Sequence, residues 1–153
     1  MPRLAGVART VEVAVDPLTA FEVFTAEIGD WYVGGPWSWN DPERAVGIRI
    51  EPGVGGRWVE VWDEATGDGF EIGRVLAWEP GRRLLVSYRS RWLPPEPPTE
   101  IEVRFTPVDA GTRVVLEHRG LDRLPPDVVA RFVGPHAWAG LLGAYTRHVA
   151  ARA

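Results

Sequence analysis

Apolar and polar residues alternate through the middle of this chain, and helical spacing replaces that alternation only near its two ends. Over residues 9–15, Val11, Val13 and Val15 interleave with Thr10, Glu12 and Ala14, a period of two that predicts a half-buried strand. Asp16-Pro17 then supplies an N-cap and a proline at the first helical position. Phe21, Phe24 and Ile28 give the helix over 17–28 one apolar face, and Gly29 is placed to stop it. Residues 47–51, 57–63, 70–78, 83–90, 99–106 and 112–119 read as strands, joined by turns such as Gly53-Val54-Gly55-Gly56, Glu79-Pro80-Gly81 and Asp109-Ala110-Gly111. Strands in series on short turns predict an antiparallel meander and not a parallel sheet with helical crossovers. The proline-rich stretch 94–98 cannot join a central strand. A short helix is predicted over 125–132 and a longer one over 135–152, where Trp138, Leu141, Leu142, Tyr145 and Val149 fall on one face.

Alternation also assigns faces. In the last strand Val114, Leu116 and His118 share a side opposite Arg113, Val115 and Glu117, so the apolar side and His118 face inward. There His118 is read either as a satisfied histidine at the rim or as a group that titrates or bonds a ligand. Ile101, Val103 and Phe105 form the apolar face of the preceding strand, and Leu84, Val86 and Tyr88 that of the one before it, with a phenol at its end. The 57–63 strand is ambiguous. If Trp58 and Trp62 point inward, Glu60 goes with them, and a carboxylate between indoles would have a raised pKa suited to acid–base work. If Val59 and Val61 point inward, Glu60 is solvated.

Composition narrows the function classes. At 153 residues the chain has the length of one domain, and 45% apolar with 25% charged residues is ordinary for a globular protein. A net charge of −4 offers no electrostatic reason for nucleic acid or an anionic membrane as partner, and the local run Arg82, Arg83, Arg89 and Arg91 reads as a solvated strand face. The lack of cysteine removes disulfides and thiolate chemistry and fits a reducing cytoplasm. Residues 1–10 hold no apolar signal core, and no stretch reaches the ~20 apolar residues of a membrane span. Ser38, Ser87 and Ser90 stand in no nucleophile motif; His118, His136 and His148 lack metal-ligand spacing; the glycines at 53–56 precede a strand, not a phosphate-binding helix. Eight tryptophans are the unusual feature, and they imply either a bulky core or an aromatic-lined pocket. Those in the irregular segment 31–43 (Trp31, Trp37 and Trp39) belong either to a lid at a pocket entrance or to a loop folded over the core edge.

Several local strings are familiar together: Ile28-Gly29-Asp30-Trp31, Gly55-Gly56-Arg57-Trp58, Gly73-Arg74-Val75-Leu76, the run from Arg83 to Tyr88, the run from Gly111 to His118, and that from His136 to Leu142. In this order they resemble the SRPBCC (START-like) superfamily, and within it the homologues of the heat-shock-protein ATPase activator, over almost the whole chain. The sequence departs from that family at Pro135 and in the Trp-rich 34–39 loop. The resemblance implies an α+β helix-grip fold: one domain over 1–153 with a curved antiparallel sheet wrapped around a long C-terminal helix and an internal apolar cavity. The expected cavity set is Trp31, Trp58, Glu60, Trp62, Tyr88, Val103, Phe105, Leu116, His118, Trp138 and Leu142. The expected role is binding of a small, largely hydrophobic ligand, with lipid carriage among the family's uses; the alternatives are a polyketide cyclase or hydrolase-like enzyme and a co-chaperone-like module. No catalytic residue, metal or cofactor is assigned. A homodimer through the sheet edge stays open, and no second domain or tail is seen to recruit a chaperone.

Overall fold

The computed structural model describes residues 6–32, 39–89, 98–133 and 137–152, with backbone alone at 131–133. Trp37, Trp92, Pro135, His136 and most of the 34–39 and 94–98 stretches lie outside the described residues. The elements in chain order are β1 (Gly6–Val13), α1 (Pro17–Thr25), α2 (Ile28–Trp31), β2 (Gly47–Ile50), β3 (Arg57–Asp63), β4 (Asp68–Glu79), β5 (Arg83–Tyr88), β6 (Thr99–Val108), β7 (Gly111–Arg119), a 3-10 turn (Leu121–Arg123), α3 (Pro126–Val133) and α4 (Trp138–Ala151). All strand pairs are antiparallel, in the order β1-β7-β6-β5-β4-β3-β2. The meander is interrupted once: β1 pairs with β7, so the chain's first strand closes against its last.

The helix expected over 17–28 is two helices. Asp16 caps α1 as predicted, accepting from the Thr19 backbone N–H at 3.2 Å. It ends at Thr25, whose hydroxyl bonds back to the Phe21 carbonyl at 2.8 Å and competes with helix continuation. Gly29 falls inside α2 and not at a helix end; a Cβ there would lie 3.0 Å from the Ile48 carbonyl, so the residue serves close approach to β2. The first strand also begins and ends earlier than its alternation suggested, because its pairing runs from Gly6 opposite Arg119 to Val13 opposite Thr112.

The sheet bends at β4. Residues up to Arg74 pair with β3 and those from Val75 onward with β5. Register shifts on both sides leave Ile72 and Leu76 as extra residues, and such bulges bend a strand and increase its twist. At the corner Gly73 meets β5 so closely that a Cβ would fall 1.7 Å from the Ser87 carbonyl oxygen, while Ser87 Oγ accepts from the Arg74 N–H at 2.9 Å. The concave face created by this bend holds the core: Leu84, Val86, Ile101, Val103, Phe105, Val114 and Leu116 are buried against Phe21 and Phe24 of α1 and Leu142 and Tyr145 of α4. The Tyr145 hydroxyl donates to the Ala20 carbonyl at 2.8 Å, tying α4 to α1 across the bowl.

The convex face is charged. Glu102 of β6 is almost fully buried there beneath Arg83 of β5, Arg104 of its own strand and Arg119 of β7. Burial raises its pKa, but the Arg83 hydrogen bond and the charges of Arg104, Arg119 and Arg83 outweigh it, and the net shift is downward.

Gly73→Ala tests the corner. Overpacking a β-carbon against a backbone carbonyl should cost about 2 kcal/mol or more in urea denaturation. A wild-type midpoint would mean that the bend does not depend on this approach.

Candidate functional site

Five rings, from β3, β5, β7, α4 and the residue that follows α2, meet where β3 and β5 come under the start of α4. Trp58 of β3 lies 5.6 Å, centroid to centroid, from Tyr88 of β5 and 6.5 Å from Trp138 of α4, and Tyr32 just after α2 stands perpendicular to it at 6.1 Å. Tyr88 in turn lies 4.8 Å from the imidazole of His118 on β7. Beside these rings is a small, partly enclosed void of about 10 Å³, room for about one water. Its lining is Trp31, Tyr32, Trp58 and Trp138, the helix residues Phe24 and Ile28, and the sheet residues Ile50, Leu84, Val86, Ile101 and Val103.

His118 is fully buried and both ring nitrogens are occupied. The Trp138 indole, a donor only, gives its N–H to Nδ1 at 3.1 Å; the proton therefore sits on Nε2, which faces Thr99 Oγ1 at 2.7 Å. Burial drives the imidazole pKa down to about 3, so the ring is neutral near neutral pH and acts as the seat of Trp138. Tyr32 is shifted the other way: desolvation, then the neighbouring Tyr88 and Glu60, raise its pKa well above the usual phenol value, and it stays a neutral hydroxyl.

Glu60 is fully buried, on the same side of β3 as Trp58. Its oxygens accept from the Asn40 backbone N–H (2.6 Å), the Asn40 amide (3.3 Å), the Asp41 N–H (2.9 Å) and the Trp62 indole (2.8 Å). Arg44 closes the arrangement, stacked 5.1 Å over Trp62 and paired with Asp41 at 3.3 Å. The carboxylate is thus a clamp on residues 40–41, next to Trp39, whose ring packs 6.1 Å from Tyr32. Val59 and Val61 are buried as well, outside the main core cluster, so β3 is covered on both faces.

Of the residues singled out in the sequence, Trp31, Trp58, Val103 and Trp138 line the void, with Tyr88 and His118 in ring contact behind Trp58 and Trp138. Phe105, Leu116 and Leu142 lie deeper in the core, and Glu60 and Trp62 form the clamp without lining the void. Phe24, Ile28, Leu84, Val86 and Ile101 reach the void from apolar faces that periodicity had already marked. Tyr32, just after a four-residue helix, was marked by the aromatic run of segment 31–43 and not by periodicity, whereas Thr99, which opens a strand beside the proline-rich stretch, had no signal. Elsewhere, Glu27, Asp30 and His148 bring one ligand atom each within 4.8 Å. Glu27 is already shared by His148 (2.9 Å) and Arg152 (3.1 Å), and that guanidinium opposes a cation. No helix among the described residues is long and apolar enough to cross a membrane.

A curled seven-strand antiparallel half-barrel closed by a C-terminal helix, with a ring-walled interior, defines a helix-grip protein of the SRPBCC type. The chain belongs to the family described as Activator of Hsp90 ATPase homolog 1-like protein, whose model matches residues 17–142. Among solved structures it is similar to a protein from Nitrosomonas europaea (TM-score 0.68, 18% identity, 97% of this chain and 96% of that one). It is also similar to the anthrahydroquino-γ-pyrone synthase Txn09, solved as a complex (TM-score 0.61, 30% identity, 96% and 98%). A third is CalC from Micromonospora echinospora, a self-sacrificing resistance protein (TM-score 0.62, 22% identity, 96% and 95%). No curated protein matches the sequence.

Two outcomes are expected. Glu60→Gln turns one accepting oxygen into an amide that faces N–H donors, and should cost about 1–3 kcal/mol in denaturation and speed amide exchange at Asn40 and Asp41; unchanged exchange there would remove the clamp. For His118, an unfolded histidine titrates near ~6.5 but the folded one near about 3. Between these values the unfolded chain binds the extra proton, so His118's contribution is complete above pH ~6.5 and declines on acidification by about 1.4 kcal/mol per unit. Ring 15N spectra should show a neutral Nε2–H tautomer at pH 5; a protonated ring at that pH contradicts the assignment.

Proposed function

We propose that the chain, acting as one helix-grip domain, binds a small, largely apolar, ring-containing molecule between the sheet and α4. The observation that carries this reading is the ring-walled void, to which β2, β3, β5, β6, α1, α2 and α4 all contribute. At about 10 Å³ it holds no such ligand at rest. The ligand enters by replacing ring–ring contacts, each worth roughly 0.5–1.5 kcal/mol, with stacking of its own, so a flat aromatic is favoured over a flexible acyl chain.

A second reading, catalysis of ring closure in such a molecule, is supported by the 30% identity to the anthrahydroquino-γ-pyrone synthase over nearly the full length of both chains. No carboxylate among the described residues lines the void, and His118 is bonded at both nitrogens. Catalysis in this form would rest on holding a reactive chain folded and on neutral donors such as Tyr32. The family's name also suggests a chaperone partner. The large apolar side chains exposed among the described residues, Leu18, Val46, Val54 and Leu76, sit on α1, ahead of β2, in the β2–β3 turn and on β4, and give that reading less support than the void gives the first.

The test is a thermal-shift titration with tricyclic aromatics, sterols and fatty acids, repeated on Ile50→Phe, which narrows the void from the edge strand. The wild-type melting temperature should rise with the concentration of a flat aromatic, by the equivalent of about 2.7 kcal/mol at a hundred times Kd, and Ile50→Phe should lose the response while keeping its far-UV spectrum. Indifference of the wild type to every compound, or an undiminished response in Ile50→Phe, would overturn the proposal.

A further inference from the structure

Trp138 stands between the void and two rings that the void does not reach. It lines the void, while Tyr88 and His118, which do not, pack against its indole at 6.5 and 6.1 Å. The indole is lightly held. Trp138 is the first residue of α4, Ala137 before it supplies no side-chain cap, and the indole nitrogen makes one hydrogen bond, to His118. Its described ring neighbours stand at 6.1–6.5 Å, whereas Trp31 in the same wall has Phe24 and Tyr145 at 5.0 and 5.3 Å. The later turns of α4 are fastened, with the Tyr145 hydroxyl on Ala20 and both His148 and Arg152 on Glu27.

Taking the binding role proposed above as given, we infer that the Trp138 indole is the resting occupant of the ligand site. The ligand is a flat fused-ring aromatic with an N–H or O–H in its plane; it displaces the indole and takes over its bond to His118 Nδ1. The place is shaped for such a body: Trp58 lies tilted by 35° to the indole, and Tyr88 and His118 meet it edge-on at 64° and 71°. Its polar end is an acceptor of fixed sense. The Thr99 hydroxyl points its proton to the Tyr88 carbonyl at 3.4 Å, so its oxygen receives the His118 Nε2–H and Nδ1 keeps its lone pair. Burial keeps the imidazole neutral, so it does not become a donor for a carboxylate or a carbonyl. A ligand without a donor would leave Nδ1 buried and unmet, which the interior penalises. Displacement also explains how so small a void serves a ring: moving one side chain joins it to the space walled by Tyr88 and His118.

The experiment compares carbazole with dibenzofuran, two flat tricycles that differ by an N–H in place of a ring oxygen. Both are titrated into 15N-tryptophan-labelled wild type and into Trp138→Ala, which vacates the place and leaves the acceptor. Both proteins should bind carbazole roughly tenfold more tightly than dibenzofuran. Trp138→Ala should bind carbazole at least about tenfold more tightly than the wild type, because no side chain competes for the place. In the wild type, carbazole should move the Trp138 indole signal upfield as its bond to His118 is lost. Binding by the wild type with that signal unmoved, equal binding of the two compounds, or a variant that binds carbazole no better overturns the displacement and leaves the cavity reading standing. Failure of the wild type to bind either compound overturns both. Should Trp138→Ala not fold, the wild-type ratio and the Trp138 signal still decide.

Discussion

The change of partner along β4, from β3 in its first half to β5 in its second, is the constraint on which the rest of the molecule depends. A sheet of seven strands laid flat would offer α4 one shallow surface. Two bulges and a glycine with no room for a β-carbon turn it into a bowl, and only in a bowl can Trp58 of β3 face Tyr88 of β5 and Trp138 of α4 together. The same bend brings the edge strand β2 near α2, where Ile50 and Ile28 complete the wall.

What fills the bowl is aromatic, and aromatic side chains with polar tips must each find a partner. The solution is largely a set of bonds to backbone carbonyls and to one neutral histidine. Those bonds orient the rings more than they stabilise the fold, since a neutral hydrogen bond contributes only about 1 kcal/mol net. Orientation is the useful product. His118 fixes Trp138, Glu60 holds the chain beside Trp39, and Tyr145 holds the helix that carries Trp138.

Much of this was legible in the sequence because sheet faces obey a period of two. His118 belongs to the row of Val114 and Leu116, and its inward direction follows from Arg113 and Glu117 on the other side. The apolar face of α4 was equally plain from Trp138 to Val149. Periodicity failed where one backbone group competes with another or where a strand loses count. Thr25 bonding to Phe21 breaks the first helix, and Ile72 and Leu76 shift the β4 register. Glu60 shows a different limit. Its side of the strand could be argued from alternation, but its partners are backbone N–H groups some twenty residues earlier, in a segment with no repeating pattern.

The charged outer face has a consequence for the accuracy of strand pairing. Val86, Ile101 and His118 sit in register across β5, β6 and β7, and so do Leu85, Glu102 and Glu117, one residue along and on the opposite face. A slip of β6 by a single residue would turn Glu102 into the ring-lined bowl, away from Arg83 and Arg119, and carry Val103 out to water. Exposed ion pairs seldom add much to stability. Here their greater effect is to make every misaligned sheet worse than the native one, so that the rings in the bowl can meet in only one way.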